Sequence, residues 1–292
     1  MDLLICIDDT DNIDSKGTGE IADEISKLIA DRFGVQCGFV SRHQLLVHED
    51  IPYTSHNSSM CFPCNVDERH YDDLLGACFE HLSAESASGS DPGLAVADIQ
   101  NVNNEILKFF GIDAKRRVLT KDEAYNTALH TGVYLVEAGG TGQGVIGALA
   151  GIGLRLWGND GELKGRFSEF LQDETYTVRD LKEPGTIHEV RDETGRVLPD
   201  EESVYIIWKA KPSLLSGRST LLVKRHNDGW STMDKSELRK FRSDKIYLKG
   251  CEDFVADVVE EQVDDKRSCY NCRYRRWIEN GVLCQLNKKV KV

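Results

Sequence analysis

The segment Ile7-Asp8-Asp9-Thr10-Asp11-Asn12-Ile13-Asp14 sets four carboxylates within seven residues, directly after a short apolar run. Like charges this close repel unless a cation or strong donors neutralise them. Hard oxygen ligands of this kind suit Mg²⁺, which keeps several waters and reaches phosphate oxygens as well. The next residues, Ser15-Lys16-Gly17-Thr18-Gly19, lead into a helical pattern, and a helix N-terminus there offers N–H groups and a positive dipole end to an anion. A metal-binding loop beside an anion-binding helix start is what a nucleoside triphosphate requires. The acids of this loop, Asp8, Asp9, Asp11 and Asp14, are therefore candidate cation ligands, with Thr10, Gly17 and Thr18 beside them at the candidate anion-binding helix start. The same residues also read as a solvated acidic turn in which Asp or Thr caps the helix. An EF-hand does not fit, because Glu20 stands at position twelve counted from Asp9 but Asp14 replaces the mid-loop glycine.

A second candidate is Gly139-Gly140-Thr141-Gly142-Gln143-Gly144-Val145-Ile146-Gly147, between a strand pattern and a helix pattern. Gly142, Gly144 and Gly147 satisfy G-x-G-x-x-G, but a dinucleotide site needs a further strand ending in an acid after the helix. Here the helix runs into Leu156-Trp157-Gly158-Asn159-Asp160-Gly161, a turn, and no Walker lysine follows the glycines. A nicotinamide-dependent oxidoreductase is thus a minor alternative. Gly140, Gly142 and Gly144 are candidates for close backbone approach to a phosphate or to another chain segment. Gly147, Gly151 and Gly153 read as packing positions against a sheet.

The third candidate is Cys269-x-x-Cys272, followed by Cys284 and preceded by Cys251. Together these four thiols could hold zinc or an iron–sulfur cluster, or remain unligated. Cys61-Phe62-Pro63-Cys64, in an apolar run, reads as core packing rather than a redox pair. From Lys266 onward eight basic residues face one acid, a net of +7, while residues 1–265 carry 28 basic and 48 acidic residues, a net of −20. Tyr270, Tyr274 and Trp277 interleave with Arg273, Arg275 and Arg276, a mixture that suits stacked bases and phosphates. A basic edge docked on the protein's own acidic body is the other reading.

The elements that must position these groups are legible from periodicity. Leu3–Ile7 reads as a buried strand, and Ile21, Ile25, Leu28 and Ile29 as a helix. Cys37–Val40 and Leu45–Val47 read as strands. Tyr71, Leu74, Leu75, Cys78, Phe79 and Leu82 form a helical stripe. Ser83–Gly93 reads as a boundary. A second run begins with a strand at Leu94–Ala97, a helix bearing Val102, Ile106, Leu107 and Phe110, and a capping box at Thr120-Lys121-Asp122-Glu123. A strand at Val133–Val136 and a helix over Val145–Trp157 complete it. Thr175–Arg179, Thr186–Val190, Val204–Trp208 and Thr220–Lys224 then read as strands between turn signals. Strands alternating with helices before a β-rich section make an α/β (α+β) protein.

In order, several segments resemble the tRNA-isoleucine agmatinylcytidine synthetase (agmatidine synthase) family. Cys6-Ile7-Asp8-Asp9-Thr10-Asp11 is similar to its G-I-D-D-T-D signature, and Asp50-Ile51-Pro52-Tyr53-Thr54-Ser55-His56-Asn57 to its N-I-P-x-K-T-R-G-N stretch. Asp91-Pro92-Gly93-Leu94 resembles the start of its ferredoxin-like unit. The run from Gly142 to Gly153 is similar to N-G-R-G-L-I-G-A-L-A-A-I-G. The resemblance covers roughly residues 1–180. It implies a kinase-like domain over 1–92 and a ferredoxin-like domain over 93–212. A β-rich connector over 213–250 and a basic cysteine-containing module over 251–292 complete the expected layout. It further implies an ATP- and Mg²⁺-dependent enzyme that activates a tRNA cytidine for attack by an amine, with Asp8, Asp9 and Asp11 on the metal. The family's Cys-Thr-Thr-Tyr run, where self-phosphorylation occurs, is replaced here by Gly17-Thr18-Gly19-Glu20. Its Lys-Thr-Arg-Gly-Asn is replaced by Thr54-Ser55-His56-Asn57, which loses two basic contacts. A non-catalytic RNA- or metal-binding protein on the same scaffold is the alternative.

Composition bounds these readings. The 292 residues are 40% hydrophobic and 29% charged, which excludes a largely disordered chain. No run of about 18 apolar residues exists, so a spanning helix and a membrane partner are not expected. The start lacks a basic n-region, and nine cysteines suit reduced thiols or metal ligands, so a cytoplasmic location without a secretory leader is expected. A net charge of −13 opposes general coating of nucleic acid, leaving the basic tail as the expected contact with tRNA or other RNA. Oligomeric state is not legible.

Overall fold

The computed structural model describes residues 1–12, 14–51, 57–164, 170–192, 194–207, 209–227, 229–233, 272, 275–278 and 281–284. The chain divides into two compact units, Met1–Trp157 and Gly158–Val292.

The first unit runs β1 (Asp2–Asp8), α1 (Thr18–Phe33), β2 (Val40–Gln44), β3 (Ser58–Asn65), α2 (Tyr71–Glu85), β4 (Gly93–Asp98), α3 (Asn104–Asp113), α4 (Lys121–Thr131), β5 (Tyr134–Glu137) and α5 (Gly144–Trp157). Its five strands lie in the order β5-β4-β1-β3-β2, every neighbour antiparallel. β1 is the middle strand and is covered on both faces, which is why it reads as a continuous apolar run. Successive side chains still point to opposite faces. Leu3, Ile5 and Ile7 enter one core with Ile21, Ile25 and Ile29 of α1 and Leu74, Cys78 and Leu82 of α2. Leu4 and Cys6 enter the other core, with Leu107 and Phe110 of α3 and Val145, Ala148, Leu149 and Ile152 of α5.

β4 pairs with β1 from Gly93 opposite Asp8 to Asp98 opposite Leu3. Residues 158–212 stand in the second unit, where Leu163 N–H donates to Pro212 O and β10 (Ser213–Leu215) pairs with β6 (Glu162–Lys164). In place of strands at Cys37–Val40 and Leu45–Val47 the chain forms β2 between them. Its register from Ser41 opposite Cys61 to Gln44 opposite Ser58 puts the intervening Arg42-His43 into the ladder.

The second unit continues with β7 (Thr175–Thr177), α6 (Val178–Lys182), β8 (Glu189–Arg191), β9 (Ser203–Tyr205), β11 (Arg218–His226) and β12 (Gly229–Thr232). These strands form the order β6-β10-β11-β12-β9-β7, with β8 parallel to β11. The expected strand over Thr175–Arg179 stops at Thr177, where a capping box with Asp180 starts α6. β13 (Arg275–Ile278) and β14 (Gly281–Cys284) form an antiparallel hairpin.

α5 lies close to α3 because both present glycine at the crossing. A Cβ at Gly153 would strike the Leu107 carbonyl, and one at Gly111 would meet the Ala150 carbonyl at 2.8 Å. Gly76, exposed in the interior of α2, has nothing within 4 Å of a Cβ. Denaturant unfolding should therefore show Gly153→Ala destabilised by about 1–3 kcal/mol through overpacking, and Gly76→Ala stabilised by about 0.5–1 kcal/mol through helix propensity.

Candidate functional site

The alternation that sends Leu4 and Cys6 toward α5 sends Asp8 there as well. Asp8 is 8% exposed and its carboxylate lies against Gly147, where any Cβ would fall on a carboxylate oxygen. Gly144, Gly147 and Gly151 form one face of α5, and they sit on the Asp91–Gly93 backbone, on Asp8 and on Cys6 with Ser59 respectively. Burial, and then the charges of Asp9 and Asp11, push the Asp8 carboxyl up to about 8, against a hydrogen bond from the Asp9 backbone. Asp9 leaves the strand in a left-handed conformation, φ 54°. Burial, then the charges of Asp91 and Asp11, raise its carboxyl to about 6.

The loop is tied to the start of α1 by hydroxyls. Thr10, fully buried, donates to Thr18 Oγ1 at 3.1 Å, and Thr18 Oγ1 donates to Asp11 Oδ1 at 3.3 Å. Gly17 is the N-cap and brings no side-chain hydrogen bond to the first turn. Glu20 and Ile21 N–H both turn back to Gly17 O, at 2.8 and 3.4 Å. Thr18 and Gly19 hold N–H groups of the kind a helix leaves without an intrahelical acceptor. The solvated-turn reading describes Asp14, which is exposed and whose N–H is capped by Asn12 Oδ1 at 3.0 Å. Lys16 points to Glu24 and Glu85, at 2.8 and 2.5 Å, which holds its ammonium pKa above the usual value.

Asp8, Asp9, Asp11, Thr18, Gly144 and Gly147 line one cavity of about 90 Å³. Gly140 and Gly142 do not line it. Both are left-handed, φ 58° and 74°, and pack against Ser90–Asp91 and Glu137. The donors of their turn serve the protein itself: Thr141 N–H and Oγ1 donate to the Asp91 carboxylate, and Gly144 N–H donates to Asp91 O at 2.9 Å. The turn therefore aims α5 at β1.

The rest of the wall includes Asp50, Ile51 and Asn57 from the second resemblance segment and Gln143 and Ile146 from the glycine run, none of which the sequence marked as a site residue. Leu45, Ile51, Ala114, Val118, Leu119 and Ile146 supply apolar surface, and Asp50, Asn57, Ser58, Arg117 and Gln143 supply polar groups. Arg117 is held by Glu123 at 2.6 Å and Asp113 at 3.3 Å. Val118 is 37% exposed beside buried Leu119, an apolar side chain facing the cleft. Pro52–His56, within the second resemblance segment, lie outside the described residues, as do Cys251 and Cys269. Cys272 is buried, and Cys284 ends β14. Among the described residues no group of three His, Cys, Asp or Glu side chains is arranged to hold a metal, and no helix is long and apolar enough to cross a membrane.

No family model matches the chain, and no curated protein matches it. Among solved structures it is similar to a tRNA fluorescent labeling enzyme and to TiaS in complex with an isoleucine tRNA and ATP. Each match has 25% identity and a TM-score of 0.46, over 52% of this chain and 36% of the other. Apo TiaS, a tRNA agmatidine synthetase, is similar at 24% identity and a TM-score of 0.44, over 52% of this chain and 35% of its own. The chain spans little more than a third of the length of these proteins.

The Asp8 carboxyl keeps its proton in the folded chain up to about pH 8, whereas an unfolded aspartate ionises near about 3.9. The native state thus binds more protons across that window. The stability this group contributes is full below about pH 4 and is lost as pH rises toward 8. In chelator, Asp8→Asn should match the wild type at pH 4 and exceed it at pH 8 by on the order of 2 kcal/mol in urea unfolding. Parallel profiles across the window would instead mean that Asp8 is ionised throughout.

Proposed function

We propose that this chain is an ATP- and Mg²⁺-dependent enzyme of the phosphotransfer or ligase type that acts on RNA, similar to tRNA agmatinylcytidine synthetases. The observation that carries it is one cavity lined by three carboxylates, by the uncapped start of α1 and by an apolar wall. The carboxylates suit Mg²⁺ by their chemistry, since burial and mutual repulsion hold Asp8 and Asp9 toward their protonated forms until a cation relieves them. They do not make a finished cage; water and phosphate oxygens would complete the shell of a bound Mg²⁺. Bound there, Mg²⁺ would neutralise charge developing on phosphoryl oxygens.

The remaining work falls to the chain's own groups. Asp8, Asp9 and Asp11 hold the cation, and α1 presents the Thr18 and Gly19 N–H groups to phosphate oxygens. Thr10 and Thr18 keep Asp11 in register with that helix start. Leu45, Val118, Leu119 and Ile146 offer apolar surface of the kind that takes a purine ring and excludes water. RNA is assigned to the basic aromatic tail from Lys266, and a zinc or iron–sulfur site to Cys251, Cys269, Cys272 and Cys284. The domain assignments implied by the family, kinase-like and then ferredoxin-like, belong to the same reading.

Titration calorimetry with ATP and Mg²⁺ should give heat for the wild type and none for Asp8→Ala/Asp9→Ala; equal heats end the nucleotide reading. Loss of one ligand carboxylate should slow turnover about 10²-fold or more. Replacing Arg273, Arg275 and Arg276 together by alanine should lower the log–log salt slope of RNA binding by about 2. An unchanged slope removes the tail from RNA binding.

A further inference from the structure

Cys37 lies beyond the Gly34 C-cap of α1 and forms an isolated antiparallel bridge with Cys64 in β3. Gly38 N–H donates to Pro63 O at 2.8 Å and fixes the same crossing from the next residue. The two Sγ atoms are 3.2 Å apart. A disulfide needs roughly 2.05 Å between sulfurs and Cα atoms about 4.4–6.8 Å apart, and directly opposed residues of an antiparallel pair lie about 4.5–5.5 Å apart. Closure therefore asks for roughly 1 Å of side-chain movement and no backbone rearrangement.

The two thiols are unequal in a way that gives each a role. Cys37 is partly exposed, whereas Cys64 is 4% exposed inside the core that holds Phe62, Leu74 and Cys78. The spacing Cys61-x-x-Cys64 gives no competing pair, because residues three apart on a strand point to opposite faces. Cys61 accordingly joins the core under α5 and Cys64 the core under α1 and α2.

We propose that Cys37 and Cys64 form a redox-active dithiol that exchanges with low-molecular-weight disulfides, Cys37 attacking and Cys64 resolving. The Cys37 thiolate attacks one sulfur of the external disulfide, forming a mixed disulfide and releasing the first small thiolate. Cys64, losing its proton, then attacks Cys37 Sγ and releases the second. The dithiol is oxidised by two electrons, the external disulfide is reduced to two thiols, and the protons of Cys37 and Cys64 pass to them. The hydrogen bond with Cys64 favours the thiolate of Cys37 against the opposing effect of burial, and the Ser26 hydroxyl adds to it. That same contact, together with burial, keeps Cys64 protonated until the second step needs it. The product ties the exit of α1 covalently to β3.

The full-length native protein is equilibrated with glutathione and glutathione disulfide at graded ratios, then alkylated and peptide-mapped by mass spectrometry. The wild type should yield one intramolecular link between Cys37 and Cys64, lighter by two hydrogens, with no retained glutathione. Cys64→Ser should retain glutathione on Cys37, and Cys37→Ser should leave Cys64 an alkylatable thiol. In the wild type, glutathione held on Cys37 beside a free Cys64, or both thiols alkylated at the oxidising end, overturns the proposal. The wild-type map decides the matter by itself if a variant fails to fold. The result is independent of whether the protein binds ATP.

Discussion

The close approach of α5 to the end of β1 governs the first unit. It depends on Gly144, Gly147 and Gly151 sharing one helix face, so that the backbone rests on the Asp91–Gly93 chain, Asp8 and Cys6 with no Cβ between. The same approach removes Asp8 from water, an expensive position for a carboxylate unless it is protonated or paired with a cation. A packing requirement and an electrostatic one are thus met by the same residues. Any side chain that relieved the burial of Asp8 would also push α5 off the sheet.

The glycine turn takes its meaning from this arrangement. Its left-handed Gly140 and Gly142 bring Thr141 onto the Asp91 carboxylate, and Asp91 O receives Gly144 N–H. Asp91 thereby anchors the start of α5 on the strand beside β1 while also lending charge to Asp9. The turn resembles a phosphate loop in composition, and its Thr141 and Gly144 amides donate to Asp91. The start of α1 differs: its cap is glycine, and the hydroxyls of Thr10 and Thr18 are directed along the loop to Asp11. Of the two helix starts that reach the cavity, α1 is the one with amides to offer an anion.

The two faces of the middle sheet divide the cysteines as well. Cys6 and Cys61, directly opposite in register, belong under α5 and are inert by burial, which with their mutual contact raises the Cys6 thiol well above its usual pKa. Cys64 and Cys78 belong under α1 and α2, where the chain leaving α1 delivers Cys37. One strand thus carries, three residues apart, a thiol paired with Cys6 on one face and a thiol paired with Cys37 on the other, because a period of two separates them.

Local pattern alone was enough for several elements: the apolar run of β1, the stripe of α2, the capping box of α4 and the long apolar α5 all stand where their residues announce them. The acidic loop and the start of α1 were likewise legible, since Asp8, Asp9, Asp11 and Thr18 are close in sequence and their mutual repulsion is a short-range fact. Tertiary structure alone decided which of these acids is buried, because that depends on a helix about 140 residues further on carrying glycine where it crosses β1. It also decided the apolar wall of Leu45, Val118, Leu119 and Ile146, the packing of Gly140 and Gly142 on Ser90–Asp91 and Glu137, and the meeting of Cys37 with Cys64. Periodicity reports which side of an element is apolar. Which distant element covers that side is set by sheet order and close packing, and neither is written in a local window.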